Sequence, residues 1–210
     1  MNSSEFSCLA GLMSSGEPVC IIFNDNKIVG SRSDKLFCEL VLNARYGESF
    51  QISDQRCRVG SYILGADDHV PSEYYFKSGR YASRDIAQMA AESLPRKDTC
   101  AYPIKIEPLH ANNGYFDVMV LYLTPEKAMK VVQAYSYYTG ERVNINTIGA
   151  ASVCADCTIL PLQKGLAISV GCKGSRKHTG YSDHEMPVGI SQSVAAKIEA
   201  GLSLIPKTSD

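Results

Sequence analysis

Three of the eight cysteines, Cys154, Cys157 and Cys172, fall in one short stretch, and the others, Cys8, Cys20, Cys38, Cys57 and Cys100, are spread through the chain before it. A thiolate is a soft, charged ligand that selects Zn²⁺ or iron-sulfur clusters. Cysteines this sparse do not make a disulfide scaffold, and in a reducing compartment they are thiols or ligands. Only Cys154-Ala155-Asp156-Cys157 has the close spacing of a metal or redox motif, so the sequence holds half of a recognisable site. The candidate ligands are Cys57, Cys154 and Cys172, with Cys157 or Cys38 as the fourth. Ordinary packed thiols are the competing reading, because free cysteine is among the most buried residue types; a redox or nucleophilic thiol is the third. A thioredoxin-like role needs the pair to open a helix, where the dipole lowers the thiol pKa. The Thr158-Ile159-Leu160-Pro161 that follows has no helical pattern.

Gly171-Cys172-Lys173-Gly174-Ser175-Arg176-Lys177 is the most distinctive short run. Two glycines permit a nest of backbone N–H groups for an anion, and the neighbouring cations add charge. Lys173, Gly174, Ser175 and Arg176 are therefore the candidate anion-binding residues. The run lacks the glycine spacing and Lys-Ser/Thr ending of a Walker-type phosphate loop. Cations beside Cys172, and Arg56 and Arg58 beside Cys57, would favour thiolate or hold an anionic ligand; a solvated basic turn accounts for the same charges. His178, Asp183, His184 and Glu185 could ligate a metal, but their spacing matches no such pattern and reads as a polar loop. Tyr74, Tyr75, Phe76, Lys77, Arg80, Tyr81 and Arg84 interleave aromatics with cations as single-strand nucleic-acid platforms do. Without an RNA-recognition signature they read as a strand and loop with snorkelling side chains.

The elements that must position these residues follow from periodicity. Val19 to Phe23 is a strand, then a helix capped by Ser33 or Asp34 carries Leu36, Leu40, Val41 and Ala44 on one face and ends at Tyr46-Gly47. Phe50 to Ile52 and Tyr74 to Lys77 are expected as strands, Ile86 to Leu94 as a helix closed by Pro95, and Tyr102 to Ile106 as a strand before a turn at His110 to Gly114. Val118 to Leu123 is a buried strand leading to Thr124 as N-cap and Pro125 at the first position of a helix that stops at Gly140. Arg142 to Ile145 and Leu166 to Val170 are expected strands, with Cys154 and Cys157 in a loop between them, and Val194 to Leu202 closes the chain as a helix. The pattern predicts an α+β fold of two similar β-α-β-β-α halves, about residues 17–107 and 115–204. Their ferredoxin-like element order suggests an internal duplication with pseudo-two-fold symmetry. The 210 residues are expected to form a single compact domain.

Lys+Arg 21 against Asp+Glu 22 gives a formal net charge of −1, so the global field that draws proteins to nucleic acid is missing and no nucleic-acid partner is expected. The longest apolar runs, Val19 to Phe23 and Val118 to Leu123, fall far short of the ~20 residues of a membrane helix, so no membrane partner is expected either. MNSSEFSCLAGLM has no Lys or Arg before its apolar residues and does not resemble a secretory signal, which points to the cytoplasm. Tyr135, Tyr137 and Tyr138 lie on one helix and suit either a core or a homodimer interface.

Several ordered motifs resemble a known family. They are Phe37-Cys38-Glu39-Leu40-Val41 with Ala44-Arg45-Tyr46-Gly47, Cys57 with Tyr62-Ile63-Leu64-Gly65, and Asp117-Val118 through Leu123-Thr124-Pro125-Glu126-Lys127-Ala128-Met129. Ser152 to Asp156, Ser169 to Arg176, and Asp183, Glu185, Met186 and Gly189 complete the set. Over about Val19 to Leu202 the chain resembles the domain-of-unknown-function family 169 of archaea and anaerobic bacteria, its methanogen members most of all. The resemblance implies a fold and an anaerobic habitat but no reaction, and such a habitat suits oxygen-sensitive thiolate chemistry. The expected function is therefore a cytoplasmic metal- or redox-cofactor-binding protein of anaerobic metabolism, with Zn or an iron-sulfur cluster as candidate cofactor. The alternative is a module that binds an anionic small molecule or partner, with structural cysteines.

Overall fold

The computed structural model describes residues 3–23, 30–98 and 103–205, so Cys100 and the Tyr102 start of one expected strand lie outside the described residues. The elements run α1 (Ser7–Gly11), β1 (Val19–Phe23), β2 (Ser31–Ser33), α2 (Phe37–Arg45), β3 (Phe50–Gln55), α3 (Arg58–Ile63), α4 (Ser72–Lys77), α5 (Arg84–Glu92), β4 (Ile104–Pro108) and β5 (Val118–Leu123). There follow α6 (Pro125–Thr139), a π-helical stretch (Ser152–Ile159), α7 (Leu160–Lys164), β6 (Leu166–Ile168), α8 (Lys173–Thr179), β7 (Met186–Ser191) and α9 (Gln192–Leu204).

One sheet of order β2-β3-β4-β1-β5-β7-β6 runs through both halves, antiparallel except where β2 meets β3. All six side chains of β5 are buried, as its unbroken apolar run requires of a strand covered on both faces. Alternation divides them. Val118, Val120 and Tyr122 join Val19 and Ile21 in a core with α2, α3, α5 and the π-helical stretch. Met119, Leu121 and Leu123 join a second core with α1, α6 and α9. α6 is set as its sequence predicts: Thr124 Oγ1 accepts the Lys127 N–H at 3.4 Å, Pro125 opens the helix, and Gly140 closes it at φ +68°.

Other expectations are corrected. The N-cap of α2 is Leu36, whose N–H donates to the Glu39 carboxylate at 2.6 Å, while Ser33 caps only the turn at Lys35. The Tyr74–Lys77 segment is helical, because Pro71, Ser72 and Glu73 start a helix and only Tyr75 of α4 is buried. Residues 140–148 form no strand: Ile145 is exposed and the segment has no ladder partner. Cys154 and Cys157 are in a helical turn rather than a loop, and His178, read with Asp183, His184 and Glu185 as part of a polar loop, lies in α8.

The strand order β1-β4-β3 is repeated by β5-β7-β6. A rotation carrying one trio onto the other would keep the helices after β1 and β5 on the same face. α2 instead lies on one face and α6 on the opposite one. The fold is α+β with a mostly antiparallel sheet, and the duplicated ferredoxin-like halves with a pseudo-two-fold are not borne out.

Candidate functional site

Separate stretches of chain wall a cavity of about 490 Å³ on the α2 face of the sheet. The start of α2 contributes Leu36 to Cys38, and the β3–α3 junction contributes Gln55 to Gly60. Tyr74 and Arg80 come from α4 and the turn after it, Ala151 to Cys154 from the start of the π-helical stretch, and Cys172, Gly174, Ser175 and His178 from α8. Cys38, Cys57, Cys154 and Cys172 thus line one wall system. Ala151, at φ +53°, adopts the left-handed conformation that costs a residue with a side chain about 1–2 kcal/mol. The turn it makes starts the stretch that brings Ser152 and Cys154 to the cavity.

Two of the four sulfurs cap helices. Cys57 Sγ accepts the Gly60 N–H at 3.4 Å and Cys172 Sγ accepts the Ser175 N–H at 3.3 Å. Behind Cys172 lies a buried row of hydroxyls: Ser152 Oγ is 3.1 Å from Ser175 Oγ, which is 3.3 Å from the Tyr181 hydroxyl. Gly171, at φ +91°, leaves room for that tyrosine, since a Cβ there would sit 2.4 Å from its oxygen. Burial raises the Cys172 pKa, but hydrogen bonds from the Ser175 side chain and backbone and from Ser152 outweigh it, so the thiol is held below its ordinary value. Its neighbours move the other way. Burial, with repulsion from charge at Cys172 and Cys57, pushes Cys38 up to about 12. Burial also raises Cys57 and lifts Cys154 well above the ordinary range. The cavity therefore sets one thiol whose ionisation is favoured beside three whose ionisation is opposed.

The charged side chains of the wall are Arg56, Arg58 and Arg80, joined by the imidazole of His178, and no carboxylate lines it. Arg56 reaches Glu39 at 3.7 Å, and Arg80 stacks over Tyr74 and Tyr75 at 5.2 and 5.5 Å. Gln55 Oε1 accepts the Phe37 N–H at 2.5 Å, which leaves Nε2 as the free end of the amide, and that Nε2 is buried with no partner among the described residues. The Tyr75 hydroxyl is likewise buried with no hydrogen-bond partner among the described residues, and its pKa is raised, first by burial and then by charge at Cys154.

The structure separates the sequence candidates. Cys57, Cys154 and Cys172 line the cavity with Cys38, whereas Cys157 is buried elsewhere and donates to the Pro187 carbonyl at 3.2 Å. Among the described residues no three His, Cys, Asp or Glu side chains are arranged to hold a metal ion. Of the glycine-rich run only Cys172, Gly174 and Ser175 reach the cavity, because the run is the start of α8 rather than a nest. Lys173 is exposed. Arg176 donates to the Val170 carbonyl at 2.8 Å and the Glu185 carbonyl at 3.0 Å, and it stacks on Tyr181, so it ties loops together. Glu185 forms a buried pair with Arg45 at 2.6 Å, and Asp183 meets Arg176 at 3.5 Å. Tyr135 is buried, while Tyr137 and Tyr138 are exposed. Sequence reading missed Gln55 and the Ser152–Ser175 contact. The usable signal was Cys57-x-x-Gly60 and Cys172-x-x-Ser175, a capping spacing with sulfur in place of hydroxyl.

The family model for domain of unknown function 169, described as uncharacterised ArCR, matches residues 10–201. An uncharacterised protein of Methanocaldococcus jannaschii is 26% identical over 164 residues, which cover 74% of this chain and 70% of that protein. No solved structure matches the chain. Among the described residues no helix is long and apolar enough to cross a membrane.

Proposed function

The chain belongs to domain-of-unknown-function family 169, and we propose that it is a thiol-dependent redox protein that binds an anionic small molecule in this cavity. One observation carries the reading: four sulfurs share a wall whose acid–base side chains include three arginines and no carboxylate. A guanidinium is weakly hydrated and presents paired donors to carboxylate or phosphate oxygens. Arg58 and Arg80 have no ion pair with a carboxylate among the described residues, which leaves them available for a ligand. A reducing, anaerobic cytoplasm would keep such thiols reduced, and we place the protein there. The test is a thermal-shift titration with inorganic phosphate, citrate and a neutral sugar. A bound anion at about 100 times its Kd stabilises by ~2.7 kcal/mol. The anions should raise the Tm, the sugar should not, and the double variant Arg58→Ala/Arg80→Ala should lose the gain. An unchanged Tm with every anion refutes it.

A second reading, that the sulfurs hold Zn or an iron-sulfur cluster, is supported by Cys38, Cys57, Cys154 and Cys172 arriving from separate segments at one cavity. Burial and repulsion from neighbouring sulfurs oppose the ionisation of Cys38, Cys57 and Cys154, and a bound cation reverses that balance. Ligation would require side-chain rotation toward a common point. Protein purified without oxygen should contain iron and sulfide, or zinc, and Cys57→Ser should lower the content while Cys157→Ser does not. Metal-free protein that cannot be reconstituted would defeat this reading.

A further inference from the structure

We infer that Cys172 is a nucleophile and that the cavity reduces the disulfide bond of an anionic small molecule. The inference rests on the anion-binding reading for its substrate class, and on separate geometry for its chemistry. Cys172 stands at the start of α8 with its side chain on the cavity wall. Its Sγ accepts the Ser175 N–H at 3.3 Å and lies 3.5 Å from Ser175 Oγ, Ser152 lines the same wall, and Ser175 and Ser152 together hold its pKa down. Ser152 and Ser175 are themselves buried and joined to Tyr181, so the donors stay in place whether or not the cavity is filled. Cys154 Sγ donates toward the Ala151 carbonyl at 3.5 Å, and burial with charge at Cys57 and Cys172 opposes its ionisation. A helix-capping thiol that shares one cavity with further thiols is the equipment of thiol–disulfide exchange, in which a second thiol completes what the first begins.

The steps balance as follows. The Cys172 thiolate attacks one sulfur of the substrate, a Cys172–substrate disulfide forms, the substrate S–S bond breaks, and the leaving thiolate takes a proton from water. A second cavity thiol, from Cys38, Cys57 or Cys154, then gives its proton to water and attacks the Cys172 sulfur. That step forms a protein disulfide and releases the second half of the substrate as a thiolate. The substrate gains two electrons and the two cysteines lose them; an external dithiol restores the protein. Arg58 and Arg80 would hold the substrate's acidic groups.

The experiment uses the reduced, metal-free full chain in stopped flow at pH 7 with two probes, the dianionic 5,5′-dithiobis(2-nitrobenzoate) and the neutral 4,4′-dithiodipyridine. A free thiol is a few per cent ionised at that pH, so a fully ionised one gains roughly tenfold after its lower intrinsic nucleophilicity is allowed for. The expected result is a fast phase up to about tenfold faster than free cysteine with the neutral probe and faster still with the dianion, releasing two thiol equivalents per chain, and Arg58→Ala/Arg80→Ala should remove the dianion's advantage. Cys172→Ser should abolish the fast phase. One of Cys38→Ser, Cys57→Ser and Cys154→Ser should halve the fast release to one equivalent, and Cys157→Ser should leave it unchanged. Ser152→Ala and Ser175→Ala should each slow it several-fold. A fast phase that survives Cys172→Ser, or the absence of any fast phase with either probe, overturns the assignment. A fast phase of equal rate with both probes and unaffected by Arg58→Ala/Arg80→Ala upholds Cys172 as nucleophile and overturns the anionic substrate class.

Discussion

Asp156 is 2% exposed, and its Oδ2 accepts hydrogen bonds from Ser169 Oγ at 2.7 Å and Thr147 Oγ1 at 2.8 Å. Burial lifts its carboxyl from an ordinary 3.8 to about 6, against the lowering effect of those two hydroxyls. A difference of about two units corresponds to ~3 kcal/mol between the protonation states. The folded chain binds this proton more tightly than the unfolded chain. Its contribution to stability is therefore complete below the unfolded pKa and is lost as pH rises through the folded one. Asp156→Asn removes the titration while keeping the shape. The unfolding free energy of the native chain minus that of the variant should fall by ~3 kcal/mol between about pH 3.5 and pH 7.5, most steeply from 4 to 6. Any fixed cost of the amide cancels in that difference, as do the titrations of all other groups. Urea unfolding under reductant at a series of pH values measures it, provided both proteins show the same m value. Parallel stability profiles for the two proteins, or a difference that grows with pH, would refute the reasoning.

Arg45 and Glu185 form a buried pair, with the guanidinium also donating to the Ser15 carbonyl at 2.9 Å and stacked over Tyr122. Removing one partner leaves a charge without compensation, so Glu185→Ala should cost ~3–5 kcal/mol in urea unfolding, and adding Arg45→Met should recover part of the loss. Gly189 and Gly174 should respond oppositely to alanine. At Gly189 the new Cβ would sit 2.1 Å from the Cys157 carbonyl oxygen, so the backbone must move and the change should cost more than ~2 kcal/mol. At Gly174, inside α8, the nearest atom is Cys172 Sγ at 3.8 Å, so Gly174→Ala should stabilise by ~0.5–1 kcal/mol, read as a higher urea midpoint.

Legibility tracked how local the controlling interaction is. β1, β5 and α6 were readable because an unbroken apolar run and a Thr-Pro cap act over adjacent residues. The Tyr74–Lys77 segment misled because a short aromatic run suits a strand or a buried helical turn equally, and only packing of Tyr75 against the core decides. Arg142 to Ile145 alternates like a strand, but its Val143 packs against the second core and the segment has no strand partner among the described residues, and a strand exists only where a partner supplies its hydrogen bonds. Repeated element order along the sequence suggested a duplication, yet which face each helix covers is set by contacts between distant segments.

The amino-acid sequence alone determined the α+β class, the best-formed strands and helix, the family resemblance and the cysteines as the residues to watch, since composition, periodicity and spacing are properties of neighbours. Only the tertiary structure decided that Cys38 rather than Cys157 joins Cys57, Cys154 and Cys172, that Arg58 and Arg80 rather than Lys173 and Arg176 face the cavity, and that Ser152 backs Cys172. The reason is physical. A thiol's ionisation depends on donors, charges and burial within a few ångströms, and the chain brings those groups together from segments more than a hundred residues apart.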